Sequence, residues 1–326
     1  MNKPRQKEGL VRVTQIGLFQ ELLPKIEPLP ATRAQQALVE AGQTIFEAPD
    51  AAELAYLARQ LVQCTLPHAD PGDVPRWLRR NGNLSLVIQP GWDTRKDCSF
   101  GYPYGTIPRL LLFWLNYEAV KKKTRRIELG KSLSQFMRQL GLDPSRGGKR
   151  SDAQRMKEQM QRLFRARISF DSTPVVGGGE MDRWMDMAVA PKGQLWWDHK
   201  QPLQDDLFAS WIELGEDFFN AIIASPVPVD MRALKALKRS PLALDLYAWA
   251  THKAHSVSRK GKPQFIPWSL LAVQFGADYQ SHLEFKRKAK AALRKIQVVY
   301  PGLKLSEATG GLIVLPTSRP AIAGKA

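Results

Sequence analysis

The chain has 326 residues, room for two ordinary domains, and 44% of them are hydrophobic, with 9 Trp. Such a composition builds real cores and excludes global disorder. The formal net charge of +17 favours a polyanionic partner, nucleic acid before an acidic membrane surface. Two cysteines, Cys64 and Cys98, exclude a disulfide scaffold and a cysteine-rich zinc site.

The opening "MNKPRQKEGLVRVTQ" has no apolar core and reads as neither a signal peptide nor an anchor. The densest apolar run, "IPRLLLFWL", is far short of the ~20 residues that span a bilayer. These features predict a cytoplasmic protein with no membrane partner.

Residues 1–48 show little periodicity, and Pro24, Pro28 and Pro30 break any helix, so they read as a flexible arm. "PDAAELAYLARQLVQC" predicts a helix, with Asp50 and Glu53 in a capping box and Leu54, Leu57 and Leu61 on one face. "LPHADPGDVPRW" predicts a loop, and "NLSLVIQPG" a strand closed by Pro90-Gly91.

A repeat follows. "PRLLLFWLNYEAV", a basic linker and "KSLSQFMRQLGLD" are answered by "PLALDLYAWATHKA", a basic linker and "PWSLLAVQFGAD". In the middle helices Leu133, Phe136, Met137, Leu140 and Gly141 correspond to Trp268, Leu271, Ala272, Phe275 and Gly276. Both sets keep the i, i+3, i+4, i+7 rule, each glycine stands at the C′ position, and Ser132 with Gln135 forms a capping box. In the third helices Met156, Met160, Leu163 and Phe164 match Phe285, Ala289, Ala292 and Leu293.

Strands are predicted after each third helix. "ARISFDS" and "RWMDMAVAP" flank a glycine-rich loop, and "VVYPGLKLSEATGGLIVLP" holds two strands around Thr309-Gly310-Gly311. Three helices and a hairpin, seen twice, predict an α+β fold of two tandem winged-helix domains. The expected divisions are an arm at 1–48, a first winged helix with its preceding helix and strand at 49–200, and a second at 201–326.

The charge is unevenly placed. Residues 109–167 hold 16 Lys/Arg against 5 Asp/Glu, residues 231–297 hold 14 against 3, and residues 171–230 between them hold 3 against 11. Two separate basic surfaces suit two DNA-contacting modules. Lys149, Arg150, Arg155, Arg162 and Arg165 lie in or before the first copy's third helix. Lys286, Arg287, Lys290 and Arg294 occupy the non-core face of the second. Both sets are candidate contacts to double-stranded DNA.

"GGK" at 147–149 is no phosphate loop, because Asp143 stands where its first glycine belongs and Arg150 where Ser or Thr belongs. His252 and His255 are spaced i, i+3 without further ligands, and His68 with Asp70 and Asp73 reads as part of a proline-rich loop. The expectation is no catalytic residue, no metal and no cofactor, hence no enzyme.

The run "LPHADPGDVPRWLRRNGNLSLVIQPGW", with "GYPYGTIPRLLLFWLNYEAV", "RRIELGKSLSQFMRQLGL", "RLFRARISF", "SPLALDLYAWATHKAHS" and "IPWSLLAVQFGAD", resembles the RepA-type plasmid replication initiators over roughly residues 50–320. The resemblance implies binding to direct repeats (iterons) at a plasmid origin, melting of an adjacent AT-rich region, and recruitment of host initiator and replicative helicase. It also implies dimers, formed through the first winged helix, that repress the protein's own gene or handcuff origins. Composition alone leaves two alternatives, a winged-helix transcriptional repressor and a nicking or priming enzyme. The second needs a tyrosine nucleophile beside metal-binding histidines, or an acidic metal cluster.

Overall fold

The structure is a computed structural model that describes residues 32–130, 132–145, 148, 151–172, 175–176, 179–195, 210–276 and 279–322. Residues 1–37 and 38–326 form two units. The helices are α1 (Arg33–Glu47), α2 (Arg59–Gln63), α3 (Thr106–Lys122), α4 (Leu133–Gln139), α5 (Asp152–Phe164), α6 (Glu216–Ala224), α7 (Met231–Leu237), α8 (Pro241–Lys260), α9 (Trp268–Phe275) and α10 (His282–Val299). The strands are β1 (Leu54–Ala58), β2 (Trp77–Asn81), β3 (Leu84–Gln89), β4 (Trp92–Asp93), β5 (Cys98–Ser99), β6 (Arg126–Glu128), β7 (Arg167–Ser172), β8 (Val175–Val176), β9 (Gly179–Glu180), β10 (Arg183–Ala188), β11 (Lys192–Gln194), β12 (Trp211–Glu213), β13 (Pro226–Asp230), β14 (Gln264–Pro267), β15 (Leu305–Ala308) and β16 (Gly311–Val314).

Two N-terminal expectations are corrected. The arm expected at 1–48 contains α1, opened by a capping box in which Thr32 Oγ1 accepts from the Gln35 amide at 3.3 Å and Gln35 Oε1 from the Thr32 amide at 2.8 Å. Pro24, Pro28 and Pro30 lie outside the described residues. Further along α1, a Cβ on Gly42 would lie 2.4 Å from the Val298 carbonyl oxygen, so only glycine permits this approach to α10.

The helix expected from Asp50 is instead the strand β1 followed by the short α2. Strand β1 pairs antiparallel with β13, Leu54 opposite Asp230 and Ala58 opposite Pro226. Ala55 and Leu57 are buried, and these apolar residues satisfy a period of two as well as one of 3.6. A long-range backbone partner decides between them. Glu53 caps nothing. Its carbonyl accepts from the Met231 amide at 2.7 Å, and its carboxylate pairs with Lys235 at 2.6 Å.

The repeat is confirmed in element order. In the second copy α8, β14, α9 and α10 lead into the hairpin β15–β16, and β14 adds to it in the order β14–β16–β15. In the first copy α3, β6, α4 and α5 are present, and the matching sheet is β6–β12–β11. Ile127 faces Ile212 there as Ile266 faces Leu312 in the second copy. The first wing is therefore β11–β12, and the division expected at 200/201 falls between its strands. The strands at 167–188, expected as that wing, instead extend the β2–β3 hairpin into a four-stranded sheet, β10–β7–β3–β2. Pattern alone cannot place such an insertion, since hairpin and sheet strands share a period.

All the matched apolar residues of the middle and third helices are buried. Ser132 Oγ accepts from the Gln135 amide at 3.1 Å. Gly141 has φ +71°, the left-handed conformation expected, whereas Gly276 has φ −98° and does not.

The two copies are joined through charge buried among apolar helices. Arg109 of α3 donates from Nε to Asp245 Oδ1 of α8 at 2.8 Å and from Nη2 to Oδ2 at 2.9 Å, both side chains being nearly fully buried. Its other N–H groups reach the carbonyls of Leu66, Pro67 and Gly105 at 2.6–2.9 Å. His68 Nε2 completes the set, 2.8 Å from Asp245 Oδ2, so His68 serves this pair and not a loop of its own. Burial acts to raise the Asp245 pKa, but the Arg109 charge and the hydrogen bonds outweigh it and bring it to about 2. Burial lowers the pKa of His68, so it stays neutral at pH 7 and donates Nε2–H to the carboxylate.

Replacing Asp245 by Asn would leave Arg109 buried without a counter-charge. Chemical denaturation should show a loss of about 3–5 kcal/mol, and an unchanged midpoint would refute the lock. Acid should act through His68 and through His252, whose pKa burial lowers to about 4. The unfolded chain binds protons at both near pH 6.5 and the folded chain does not, so stability is complete above about pH 6.5 and falls below it. His68→Gln should flatten part of that fall in urea midpoints measured from pH 7 to 4.5.

Candidate nucleic-acid interface

The second copy presents its third helix cleanly. Ser281 Oγ caps α10 by accepting from the Glu284 amide at 3.1 Å, and Glu284 Oε2 accepts from the Gln280 amide, one residue before the cap, at 3.3 Å, which together fix the first turn of α10. Phe285, Ala289, Ala292, Leu293, Ile296 and Val299 are buried on one side. Phe285 meets the Tyr279 ring edge-on at 5.6 Å, and Tyr279 meets His68 at 6.0 Å. The inter-copy lock and the seat of α10 are thus contiguous.

The opposite side of α10 carries the cations. Arg287 and Arg294 are exposed, and Lys286 and Lys290 are half-buried. Lys290 spans to the wing, pairing with Glu307 of β15 at 2.8 Å and lying 5.9 Å from the Trp268 ring centre. The hydrogen bond from Lys290 holds the exposed Glu307 carboxyl below its usual pKa, and the charges of Arg294 and Lys286 add to the effect. Lys290 therefore ties helix α10 to its wing, whose two strands carry the single charge of Glu307.

The first copy differs. Lys149 and Arg150 lie outside the described residues. Arg155 pairs with Asp152 at 3.3 Å on its own helix. Arg162 is half-buried, bonded to Asp70 at 3.1 Å and to the Tyr102 carbonyl at 3.2 Å, with its guanidinium 5.1 Å from the Tyr104 ring centre. Arg165 is exposed at the end of α5, 5.8 Å from the Phe100 ring centre. It lines an open cleft of about 720 Å³ between α5 and the first wing, together with Arg95, Lys192 and Trp211. The structure thus sets Lys286, Arg287, Lys290 and Arg294, four of the six Lys and Arg of α10, clear of its buried face, while Arg162 of α5 is engaged with Asp70 and Tyr102.

Sequence reasoning missed Arg109, Asp245, Glu307 and the correct first wing. The first two had a signal, one charge of opposite sign in each of two apolar stretches, residues 107–117 and 241–252. Glu307 had none, because its role depends on the wing strand reaching α10. Among the described residues no three or more His, Cys, Asp or Glu gather where they could hold a metal ion, and no helix is long and apolar enough to cross a membrane.

The fold thus sets out one element order twice, with a cation-bearing third helix in the second copy. The sequence profile of the family described as "Plasmid encoded RepA protein" matches residues 102–269, more than half of the chain. The chain belongs to this family of plasmid-encoded RepA proteins, which gives it a replication-initiator role. Among curated proteins none matches the sequence. Two crystal structures of domains 2 and 3 of RctB, one a selenomethionine derivative, are similar to 76% of this chain. They are covered over 93% and 92% of their own length, at 10% identity and TM-scores of 0.45 and 0.41.

Proposed function

We propose that the protein binds direct repeats in double-stranded DNA at a plasmid origin, laying α10 in the major groove with β15–β16 against the flanking backbone. The observation that carries this reading is the row of cations on α10 opposite its buried face, with the wing tied to that helix by the Lys290–Glu307 ion pair. The first copy holds adjacent phosphates through Arg155 and Arg165. Binding deforms the duplex and favours melting of a neighbouring AT-rich stretch, and the bound protein recruits host initiator and replicative helicase. Dimers repress the gene. The protein works without chemistry of its own, needs no cofactor and acts in the cytoplasm.

Replacing Lys286, Arg287, Lys290 and Arg294 together by Ala should weaken binding to a duplex carrying the repeats beside the gene. In fluorescence anisotropy across a salt series, each lost phosphate contact should remove about one unit from the slope of log K against log salt. Unchanged affinity and slope would place the DNA on another face.

A further inference from the structure

Leu283, in the first turn of α10, is 79% exposed, more than any other large hydrophobic residue described. Scattered exposed leucines are ordinary on protein surfaces, so exposure alone decides nothing. Position does. Leu283 lies four, seven and eleven residues before Arg287, Lys290 and Arg294, the spacings that stack side chains along one face of a helix. The buried residues of α10, from Phe285 to Val299, occupy the other side. Leu283 therefore heads the row of cations and points away from the core that the rest of the helix builds. Folding gains nothing from a leucine there, and a helix surface is better served by a polar side chain.

We infer that Leu283 packs against the 5-methyl group of a thymine in the major groove, making it a residue that sets sequence preference. The inference rests on the duplex-binding reading of α10 above. In a helix that enters the groove, residues of the first turn reach base edges while later cations meet phosphates. The thymine methyl is the apolar feature of the major-groove edge, and an apolar side chain is its complement. The charge of the row fits a duplex as occupant, since Arg287 and Arg294 are exposed cations on the same face. An apolar protein partner would meet those charges at a desolvation cost.

The test replaces each thymine of the repeat duplex in turn by deoxyuridine, which removes only the methyl group. Wild-type protein should bind one of these duplexes about fourfold more weakly, the effect of one methyl-sized group leaving an apolar contact. Leu283→Ala should bind the all-thymine duplex at least that much more weakly, lose nothing further on the same deoxyuridine duplex, and keep the wild-type unfolding midpoint and salt slope. Wild-type indifference to every deoxyuridine, or equal losses in both proteins, would overturn the role of Leu283 while leaving duplex binding intact. Wild-type affinity in Leu283→Ala would do the same and direct attention to a protein partner. Failure of the wild-type protein to bind any repeat duplex would overturn the functional reading, and this inference with it.

Discussion

The carboxylate of Asp245, sunk between two apolar helices, is the point on which the arrangement turns. It accepts both arms of Arg109 and the Nε2–H of His68, and so it fixes α3 of the first copy against α8 of the second. A buried ion pair often contributes little net stability compared with apolar residues of the same shape. Its value here is geometric. A bidentate guanidinium–carboxylate pair admits one orientation, whereas the leucines around it would tolerate several. From His68 the constraint passes through Tyr279 to Phe285, in the first turn of the helix that carries the cations.

The copies have diverged around this common frame. The second keeps a compact wing, two strands directly after α10 that pair with β14, and leaves the cation-bearing face of its third helix open to solvent. The first places a hairpin and two strands of a four-stranded sheet between α5 and its wing, and Arg162 is turned inward to Asp70 and Tyr102. A side chain committed to holding a loop is a weaker phosphate ligand than a free one. The duplex-binding proposal accordingly gives sequence reading to α10 and positioning to the first copy.

The repeat was legible because its signal is local. Apolar spacing in α4, α5, α9 and α10 marks one face each, and every apolar side chain matched between the middle and third helices proved buried. What was illegible depends on partners distant in the chain. Residues 54–58 satisfy two periods, and only the pairing with Pro226–Asp230 makes them a strand. The first wing closes with β12, which pairs with Arg126–Glu128 some 85 residues earlier in the chain. Gly276 looked like Gly141 by position, yet it closes its helix at φ −98°. Arg162 looked like Arg165 by spacing, and only the fold reveals that one is engaged and the other open.

Fixing both copies in one frame has a direct consequence for DNA. Two modules that cannot reorient independently should lie on one face of a duplex about one helical turn apart, covering about 20 bp. A hydroxyl-radical footprint of the intact protein on the repeats beside its gene measures this. The account predicts two protected patches on that face, separated by about 10 bp, with the stronger protection under α10. A single patch of about half that length, or protection of no repeated sequence, would contradict it.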